Sequence, residues 1–533
     1  MIIGKYVLSD LEADKIQIPT QTTWGAEVFQ TVLTTDPTTI IDEIKERQLP
    51  LLAFRHPDMT TTVAELKGIV GEVGALNITG LSTSTSTSTS DNNHNASIEQ
   101  IYWSPKSFAA FLNLKAYVIS ALVVWKTLVL PGISVVVPIL SIILPFLILK
   151  FIRGIPLEVG DYLSHMRQTL LRQINVPAIL KAKHAGDHLG HMFETAFLAI
   201  TVATFASSIW NQIQTARHQR DIAHGCLKHG ETLTAVVGAV ERALAVLEGT
   251  EDRFRAALHR LITSGRVLLD TTFASMSRTE PYAAFGWLWN TPAALVGLKD
   301  WVGRLDVALT IAGMPNICLP RVLDASDEAN GLVIRGVCHP GLSESVSNDA
   351  DFGGAAKHVL LTGPNRGGKS TFCRAVGLAI LCAQTWGFAW ATDMSYTPFR
   401  ALQTALSPAD VLGRLSLFES EIEFAKEVLA IGGEGPVFVM MDEIFHSTNA
   451  HDGVEASRIF LEKLYKLPAV TSLISTHYRE LVDLVGATGW YMECRLDDKD
   501  NTTKKLTYTY KVKTGGVSEH SSVFEILEER GLI

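Results

Sequence analysis

A helical spacing of apolar residues dominates the middle of this chain. From Gln212 to Met276 they recur every three or four positions, as at Val236, Val240 and Leu244. That spacing places them on one face of a helix. Gly249-Thr250 interrupts the pattern, and two acidic residues follow where negative charge suits the first turn of a new helix. The pattern predicts two long helices in an antiparallel arm.

After Asn330 the pattern changes to short apolar runs separated by glycine, which is typical of an α/β domain. Three runs predict buried strands, at residues 358–362, 437–441 and 470–475. Residues 371–381 predict a helix directly after the first of these strands. The α/β domain is expected to continue to the C-terminus.

A third pattern is the run from Thr127 to Leu149, which contains 23 residues without a charge. That length is enough to cross the hydrocarbon core of a bilayer. One interpretation is a single span. Another is a hairpin that turns at Pro131-Gly132 and returns Lys115 and Lys150 to the same face, and a third is a helical hairpin buried in a large core. Residues 195–215 are also uncharged, and predict a second span or a buried amphipathic helix.

The chain has 533 residues, more than one hydrophobic core usually supports. We predict an α+α/β architecture, in which a helical core and arm precede a C-terminal α/β domain. The predicted divisions are a small N-terminal region (1–110) with a Ser/Thr-rich linker (81–97), the apolar segment (111–153), the helical core and arm (154–325) and the α/β domain (326–533).

Charge and cysteine content limit the partners and the cellular compartment that the sequence suggests. The net charge of −9 gives no overall attraction to nucleic acid, so such a partner would need a local basic surface. The six cysteines include no C-x-x-C pair, which fits an intracellular, reducing compartment without a disulfide framework. Residues 150–220 contain eight Lys or Arg against four Asp or Glu. The positive-inside rule then places the segment that follows in the cytosol, with membrane association through residues 116–149.

The candidate chemistry begins with a glycine-rich loop that fits G-x-x-x-x-G-K-[ST] between the first predicted strand and its helix. In such a phosphate loop (P-loop), backbone N–H groups approach the phosphates of a nucleotide. Lys369 would reach the β and γ oxygens, and the Ser370 hydroxyl would be a Mg²⁺ ligand. The predicted ATP-binding residues of the loop are Gly363, Pro364, Asn365, Arg366, Gly367, Gly368, Lys369, Ser370 and Thr371.

Polar residues also close the other two predicted strands. Asp442 and Glu443 follow the second strand, where Asp442 would hold Mg²⁺ and Glu443 would orient or deprotonate the attacking water. Thr476-His477 follows the third strand, which would bring the His477 imidazole near the γ-phosphate. Glu443, His477 and Lys369 are therefore the predicted catalytic residues.

Taken together, these motifs resemble the MutS family of DNA mismatch-repair ATPases. The resemblance is carried in chain order by Thr362 to Thr371, Ser416-x-Phe418-x-x-Glu421, Asp442-Glu443-Ile444 and Ser475-Thr476-His477-Tyr478. It implies a composite ATP site in a dimer formed through the ATPase domain, with Ser416 contacting the nucleotide of the partner subunit. It also implies that Asn348 lies in the loop beside the adenine.

The departures from the family pattern are as informative. Phe445 to Asn449 replace the Gly-Arg-Gly-Thr that usually follows the acidic pair. No Phe-x-Glu wedge, which would read a mismatch by inserting its ring into the base stack, is recognisable in the first 110 residues. The chain therefore resembles a shortened relative with an added apolar segment.

The resemblance implies ATP hydrolysis with Mg²⁺ in a homodimer, driving a clamp-like change on duplex DNA in mismatch repair. The alternative is a membrane-tethered P-loop ATPase that organises nucleic acid or protein without recognising mismatches. A transporter half-molecule is disfavoured. It would need several spans and an LSGGQ-like signature, whereas residues 413–416 read Gly-Arg-Leu-Ser.

Overall fold

The computed structural model describes residues 1–76, 97–173, 187–324, 331–406, 417–498 and 504–519, with residues 522, 526, 527 and 530–532. Nearly all of the Ser/Thr-rich linker and Ser416 lie outside these residues. The described chain is a mixture of helices and strands, with a helical region before a sheet that is mostly parallel.

Sixteen α-helices are assigned in the described residues. They are α1 (Val7–Asp10), α2 (Thr23–Thr35), α3 (Ile41–Arg55), α4 (Thr60–Ala75), α5 (Ala116–Val124), α6 (Leu130–Leu147), α7 (Val159–Gln173), α8 (Asp187–Glu248), α9 (Asp252–Ala257), α10 (His259–Val267), α11 (Pro281–Asn290), α12 (Ala294–Gly313), α13 (Lys369–Thr385), α14 (Leu417–Ile431), α15 (Ala450–Leu464) and α16 (Leu481–Val485).

The strands form two sheets. They are β1 (Ile2–Ile3), β2 (Arg321–Val322), β3 (Leu332–Val337), β4 (Asn348–Asp351), β5 (His358–Thr362), β6 (Asp393–Tyr396), β7 (Ala401–Ala405), β8 (Val437–Met441), β9 (Val470–Ser475), β10 (Thr488–Asp498) and β11 (Lys504–Thr514). The seven-stranded sheet has the order β1-β7-β8-β9-β5-β10-β11, and the four-stranded sheet has the order β2-β6-β3-β4.

The larger sheet is parallel except for its last pair, β10 and β11. Its central strands β8 and β9 are fully buried, as their continuous apolar sequences predict for a parallel sheet covered on both faces. The three predicted strands at 358–362, 437–441 and 470–475 coincide with β5, β8 and β9. Because these strands are parallel neighbours, their carboxyl ends meet at one edge of the sheet.

The described chain divides into two compact units that are not contiguous in sequence. One comprises Met1–Ala75, Ala239–Leu268 and Gly297–Ile533, and the other comprises Leu76–Gly238 and Leu269–Val296. Residues 1–75 fall in the same unit as the α/β domain, whereas the predicted division placed them in a separate N-terminal region. Ile2 and Ile3 extend the sheet beside β7, and the buried Asp10 carboxylate accepts hydrogen bonds from Thr404 Oγ1 (2.7 Å) and Leu406 N (2.9 Å).

The predicted pair of long helices is correct in its first member only. Helix α8 ends at Glu248, directly before the predicted break at Gly249-Thr250. The second member is two short helices, α9 and α10, which meet at Leu258. The buried Leu258 remains in the core, so the apolar spacing persists through a break in the helix axis that periodicity does not register.

The apolar segment is one helical run from Ala116 to Ile152. Pro131 and Gly132 lie inside α6, so the prediction of a hairpin turning there was wrong. A π-helical turn, Trp125–Val129, directly precedes α6, and a second one, Ile148–Ile152, follows it. Such turns change the hydrogen-bond spacing, and proline is tolerated where a helix begins. Among the described residues this is the one helix long and apolar enough to cross a membrane.

Candidate functional site

The site lies where the carboxyl ends of β5, β8 and β9 meet. Leu361 pairs with Ser475 across β5 and β9, and Met441 pairs with Ile474 across β8 and β9. This register brings the residues that follow each strand to the same edge of the sheet. They are the glycine-rich loop (residues 363–370), the Asp442-Glu443 pair and Thr476-His477.

Lys369 is the buried cation of the glycine-rich loop. Its Nζ donates to the carbonyl oxygens of Gly363 (3.0 Å) and Pro364 (3.4 Å). Burial lowers the pKa of this ammonium, while the carboxylates of Asp442 and Glu443 oppose the shift. An ammonium has three hydrogens and these contacts use two. The loop thus holds a buried cation with one further donor for an anionic ligand.

The start of α13 adds backbone donors to the same place. Its cap residue, Gly368, has φ +96°, a conformation that glycine adopts without a steric penalty. No side chain accepts a hydrogen bond at this cap. The N–H groups in the first turn of a helix lack intrahelical acceptors and carry partial positive charge, and so favour anions.

Ser370 and Asp442 are brought together by the fold. The Ser370 hydroxyl donates to Asp442 Oδ2, and the Ser475 hydroxyl donates to Asp442 Oδ1. A hydroxyl and a carboxylate are oxygen ligands of the kind that Mg²⁺ prefers, usually completed by water and substrate phosphates. No cluster of three or more His, Cys, Asp or Glu side chains suited to a metal occurs in the described residues. The donor set therefore fits Mg²⁺ better than a metal held by protein groups alone.

Glu443 is held by a hydrogen bond with His477 at the mouth of the site. His477 Nε2 lies 2.7 Å from Glu443 Oε1, and this hydrogen bond is the main reason why the pKa of Glu443 is lowered. Partial burial opposes that shift, while the charges of His477, Lys369 and His446 support it. Glu443 has φ +55°, a left-handed conformation that is uncommon for residues with a side chain and concentrates at functional sites.

The loop after Glu443, where the sequence departs from the family pattern, is held by contacts with α14. His446 Nδ1 lies 2.7 Å from the Glu443 carbonyl oxygen and 3.2 Å from Glu421 Oε1. The Ser447 hydroxyl donates to the other Glu421 oxygen. Phe445 also has a positive φ, +47°. Glu421 thus ties α14 to the segment that carries Glu443.

The glycine-rich loop and Glu443 line a cavity of about 430 Å³, a size typical of small-molecule sites. Its walls include residues 364–370 of the loop, Asn348 and Tyr510. Asp442 and His477 are not lining residues, but they contact Ser370 and Glu443, which are. Asn348 lines the cavity, but its amide is engaged with the protein backbone. It donates to the carbonyl oxygens of Val346 (3.2 Å) and Tyr510 (3.0 Å) and accepts from Val512 N (2.8 Å). Asn348 therefore shapes this wall by holding β11 in place.

Sequence reasoning missed two contributors to the site. Ser475 was part of a recognised motif but had no assigned role, although it fixes Asp442 and its hydroxyl accepts from Glu443 N (3.2 Å). Tyr510 is a half-exposed aromatic residue with φ +56° that lines the cavity next to Gly368. An aromatic residue in an alternating strand has no distinctive signal, because such residues are common in β-sheets.

Comparison with known families agrees with this arrangement. Residues 359–530 match MutS domain V, and they include β5, the glycine-rich loop, Asp442-Glu443 and His477. This part of the chain is therefore similar to MutS domain V.

Curated relatives carry the same family name. The chain is 31% identical over 202 residues to the DNA mismatch repair protein MutS of Shouchella clausii, covering 36% of this chain and 23% of that protein. It is 28% identical over 249 residues to the DNA mismatch repair protein Msh6 of Homo sapiens (41% and 18% covered) and 26% identical over 245 residues to MSH2 of Arabidopsis thaliana (42% and 26% covered).

Identity is low and the chain spans between 18% and 26% of the length of these relatives. The domain V match and the relatives' names confirm the resemblance found in the sequence, and they place it in residues 359–530, which are similar to MutS domain V.

Proposed function

We propose that this chain is a P-loop ATP hydrolase of the MutS type. The observation that carries the proposal is the convergence of three strand ends on one cavity. There, a buried lysine, a Ser–Asp pair and a Glu–His pair surround the first turn of α13. Each group has the chemistry that one part of ATP hydrolysis requires.

In this proposal Lys369 and the N–H groups of the glycine-rich loop bind and orient the β- and γ-phosphates. Ser370 and Asp442 would hold Mg²⁺, which would neutralise phosphate charge when bound. Ser475 keeps the Asp442 carboxylate in position through its hydrogen bond. Tyr510 offers an aromatic face at the cavity wall for the base of the nucleotide.

Glu443 would orient the attacking water and accept its proton. His477 keeps the Glu443 carboxylate ionised and directed, and can stabilise charge that develops near the γ-phosphate. The side chains of Glu443 and His477 remain about one-third and two-fifths exposed, at 35% and 42%. Asn365 and Arg366 are exposed as well. A site with its reacting end open to solvent fits completion by a second copy, as the family resemblance implies.

The proposed dimer can be tested by sedimentation. With a non-hydrolysable ATP analogue and Mg²⁺, the purified chain is expected to shift from monomer to dimer as its concentration rises. The specific ATPase activity should rise over the same concentration range. Ser416→Ala should lower that activity without lowering ATP affinity in the monomer. Full activity in a chain that stays monomeric would contradict the composite site.

We propose duplex DNA as the partner on which the ATPase acts, because the named relatives are DNA mismatch repair proteins. The test is binding of matched and mismatched duplexes, with and without ATP, across a salt series. Tighter binding to the mismatch would support a repair function. Equal affinity would argue for engagement through shape or backbone, and no binding would contradict the DNA proposal.

The Glu443–His477 pair predicts a change in pH dependence. A lowered pKa means that Glu443 remains ionised to lower pH than an ordinary glutamate, so ATPase activity is retained as the pH falls. In His477→Ala the pKa of Glu443 should rise toward its usual value, and the acid limb of the kcat/KM profile should move to higher pH. His451→Ala, which changes a 95% exposed histidine, is the control. An unchanged acid limb would refute this role of His477.

A second candidate function is a membrane-tethered ATPase that organises nucleic acid or protein without recognising mismatches. The observation that favours it is the helical run Ala116–Ile152, whose apolar window is not buried within the chain. Carbonate-washed membranes should retain the full-length chain. Its complete release by carbonate, with ATPase activity intact, would exclude the tether and leave the ATPase proposal standing.

A further inference from the structure

The apolar run needs a covering because its exposed side chains face many directions. Leu128, Ile133, Val136 and Leu140, among others, are between 43% and 70% exposed, and no residue between Lys126 and Ile152 whose side chain is described is buried. A helix that is apolar on all sides belongs in a protein core or a membrane. A second copy of the chain would cover one stripe, whereas lipid covers every face.

The chain segments before and after the two uncharged stretches pack against each other. Ile119 and Val123, before the uncharged stretch, pack in one cluster with Ile222 and Cys226, which follow the second uncharged stretch. Gln100 lies between the two. Its carbonyl accepts from Lys126 Nζ, and its side-chain oxygen lies 3.4 Å from Gln219 Nε2. Residues 127 to 218 therefore leave this cluster beside Gln100, here called the base, and return to it. A chain that starts and ends on one side of a bilayer must cross it an even number of times.

The two uncharged stretches have similar lengths. Residues 127–149 contain 23 positions without a charge and residues 195–216 contain 22. At the rise of an α-helix these stretches are about 35 and about 33 Å long, against about 30 Å of hydrocarbon. Lys126 and Arg217 bound them at the base, and Lys150 and Glu194 bound them at the far end. Along each helix, the charged positions that bound a stretch are therefore about one bilayer thickness apart.

The residues near these levels have the character of a membrane interface. Trp125 and Tyr117 are exposed near the base. At the far end Tyr162 packs on Phe146 with ring centroids 5.2 Å apart, and Lys150 Nζ lies 5.3 Å from the centre of the Phe146 ring. Aromatic rings and snorkelling basic side chains are enriched where membranes meet water.

We propose that residues 127–149 and 195–216 are the two limbs of a helical hairpin that crosses a lipid bilayer twice. The base at Gln100 and the ATP site lie on one side, and Lys150 and the described residues 151–173 lie on the other. Among the described helices only Ala116–Ile152 is long and apolar enough to span by itself, so no crossing is added after Arg217 and the second limb spans only as the partner of the first. The second limb is less apolar than the first, and exposes Ala196, Ala199, Ala203 and Ala206 at helical spacing. Small residues at this spacing suit close packing between helices in lipid.

The inference rests on the membrane-tether candidate and not on the ATPase chemistry. Six of the eight basic residues in 150–220 precede the second limb, so this orientation runs against the positive-inside rule that the sequence analysis applied to them. The orientation follows from ATP being cytosolic, which makes the far end the face to be tested by labelling.

The experiment uses the full-length chain in sealed vesicles with the ATP site outward, verified by ATPase activity without detergent. Ser164→Cys marks the far end and Ala235→Cys, an exposed position on the base side of α8, is the matched control. A membrane-impermeant maleimide should label Ala235→Cys at once but Ser164→Cys only after detergent is added. Labelling of the parent chain is subtracted from both. The expected protection of Ser164→Cys is at least about tenfold.

Three results would overturn the hairpin. Equal labelling of both variants without detergent would place the far end on the side of the ATP site. In vesicles that hydrolyse external ATP, slow labelling of both Ser164→Cys and Ala235→Cys would also contradict the hairpin. It would show that the base does not lie on the outer side with the ATP site. Loss of ATPase activity with the labelling pattern intact would count against the proposed function and not against the hairpin. A chain with both limbs deleted, residues 127–216, should leave the carbonate-resistant fraction; its retention there would also contradict the proposal.

Discussion

Glu443→Gln is expected to lower the kcat for ATP hydrolysis by at least about 100-fold, since a positioned general base typically contributes 10²- to 10⁴-fold. The amide has nearly the same shape as the carboxylate, but it cannot accept the proton of the attacking water. It also replaces the carboxylate that hydrogen-bonds His477 by a neutral amide. ATP affinity should remain within a fewfold of the parent, because Lys369 and the glycine-rich loop are unchanged.

The effect should be read by single-turnover hydrolysis together with ATP binding, so that chemistry and affinity are separated. Glu455→Gln is the matched control, because Glu455 is half exposed and pairs with Arg458 on α15. With ATP and Mg²⁺ the Glu443→Gln chain should accumulate as the closed dimer. Hydrolysis within tenfold of the parent would remove Glu443 from its proposed role.

The second large effect is on stability. Asp306 is 1% exposed, and its carboxylate accepts from Gln21 N (3.1 Å), Thr22 N (2.8 Å) and Thr22 Oγ1 (2.7 Å). Thr22 in turn caps α2 by accepting from Gly25 N (2.8 Å). Asp306→Ala would leave these donors without their charged acceptor. We expect the free energy of unfolding to fall by about 3–5 kcal/mol.

Urea denaturation of the unit that contains residues 1–75 measures this loss. Asp300→Ala on the same helix is the control, because Asp300 is half exposed, pairs with Arg304 and should cost less than about 1 kcal/mol. Gly25→Ala should also destabilise, since an added Cβ would lie 2.4 Å from Asp306 Oδ2. Equal urea midpoints for Asp306→Ala and Asp300→Ala would show that the N-terminal residues are not held in this way.

The strands around the site were predictable because each is a short apolar run that ends in polar residues. A parallel strand buried on both faces must be apolar at almost every position. The runs that form β5, β8 and β9 were therefore located correctly. The positions of Lys369, Asp442, Glu443 and His477 at one sheet edge followed from strand order and the rule that carboxyl ends share an edge. Their arrangement in the structure agrees, whereas their roles in ATP hydrolysis remain predictions.

What the sequence did not reveal depends on contacts between distant segments. The strand β1 has only two residues, too few for a period, and its pairing with β7 is fixed by tertiary packing. The Asn348 amide hydrogen-bonds the backbone of β11, and because Val512 is 164 positions away in the chain, no local pattern indicates this contact. Proline at residue 131 suggested a turn because it disfavours helix interiors, and the adjoining π-helical turn that accommodates it has no sequence signature.

The central claim, that the cavity beside Lys369 binds ATP with Mg²⁺, is tested most directly by calorimetric titration of the purified chain. The account predicts one ATP per chain in the presence of Mg²⁺, and binding weakened at least about 100-fold in both Lys369→Ala and Lys369→Met. Lys426→Ala, which changes a 65% exposed lysine on α14, should leave the affinity unchanged. ATP affinity in the folded Lys369 variants equal to that of the parent would contradict the account.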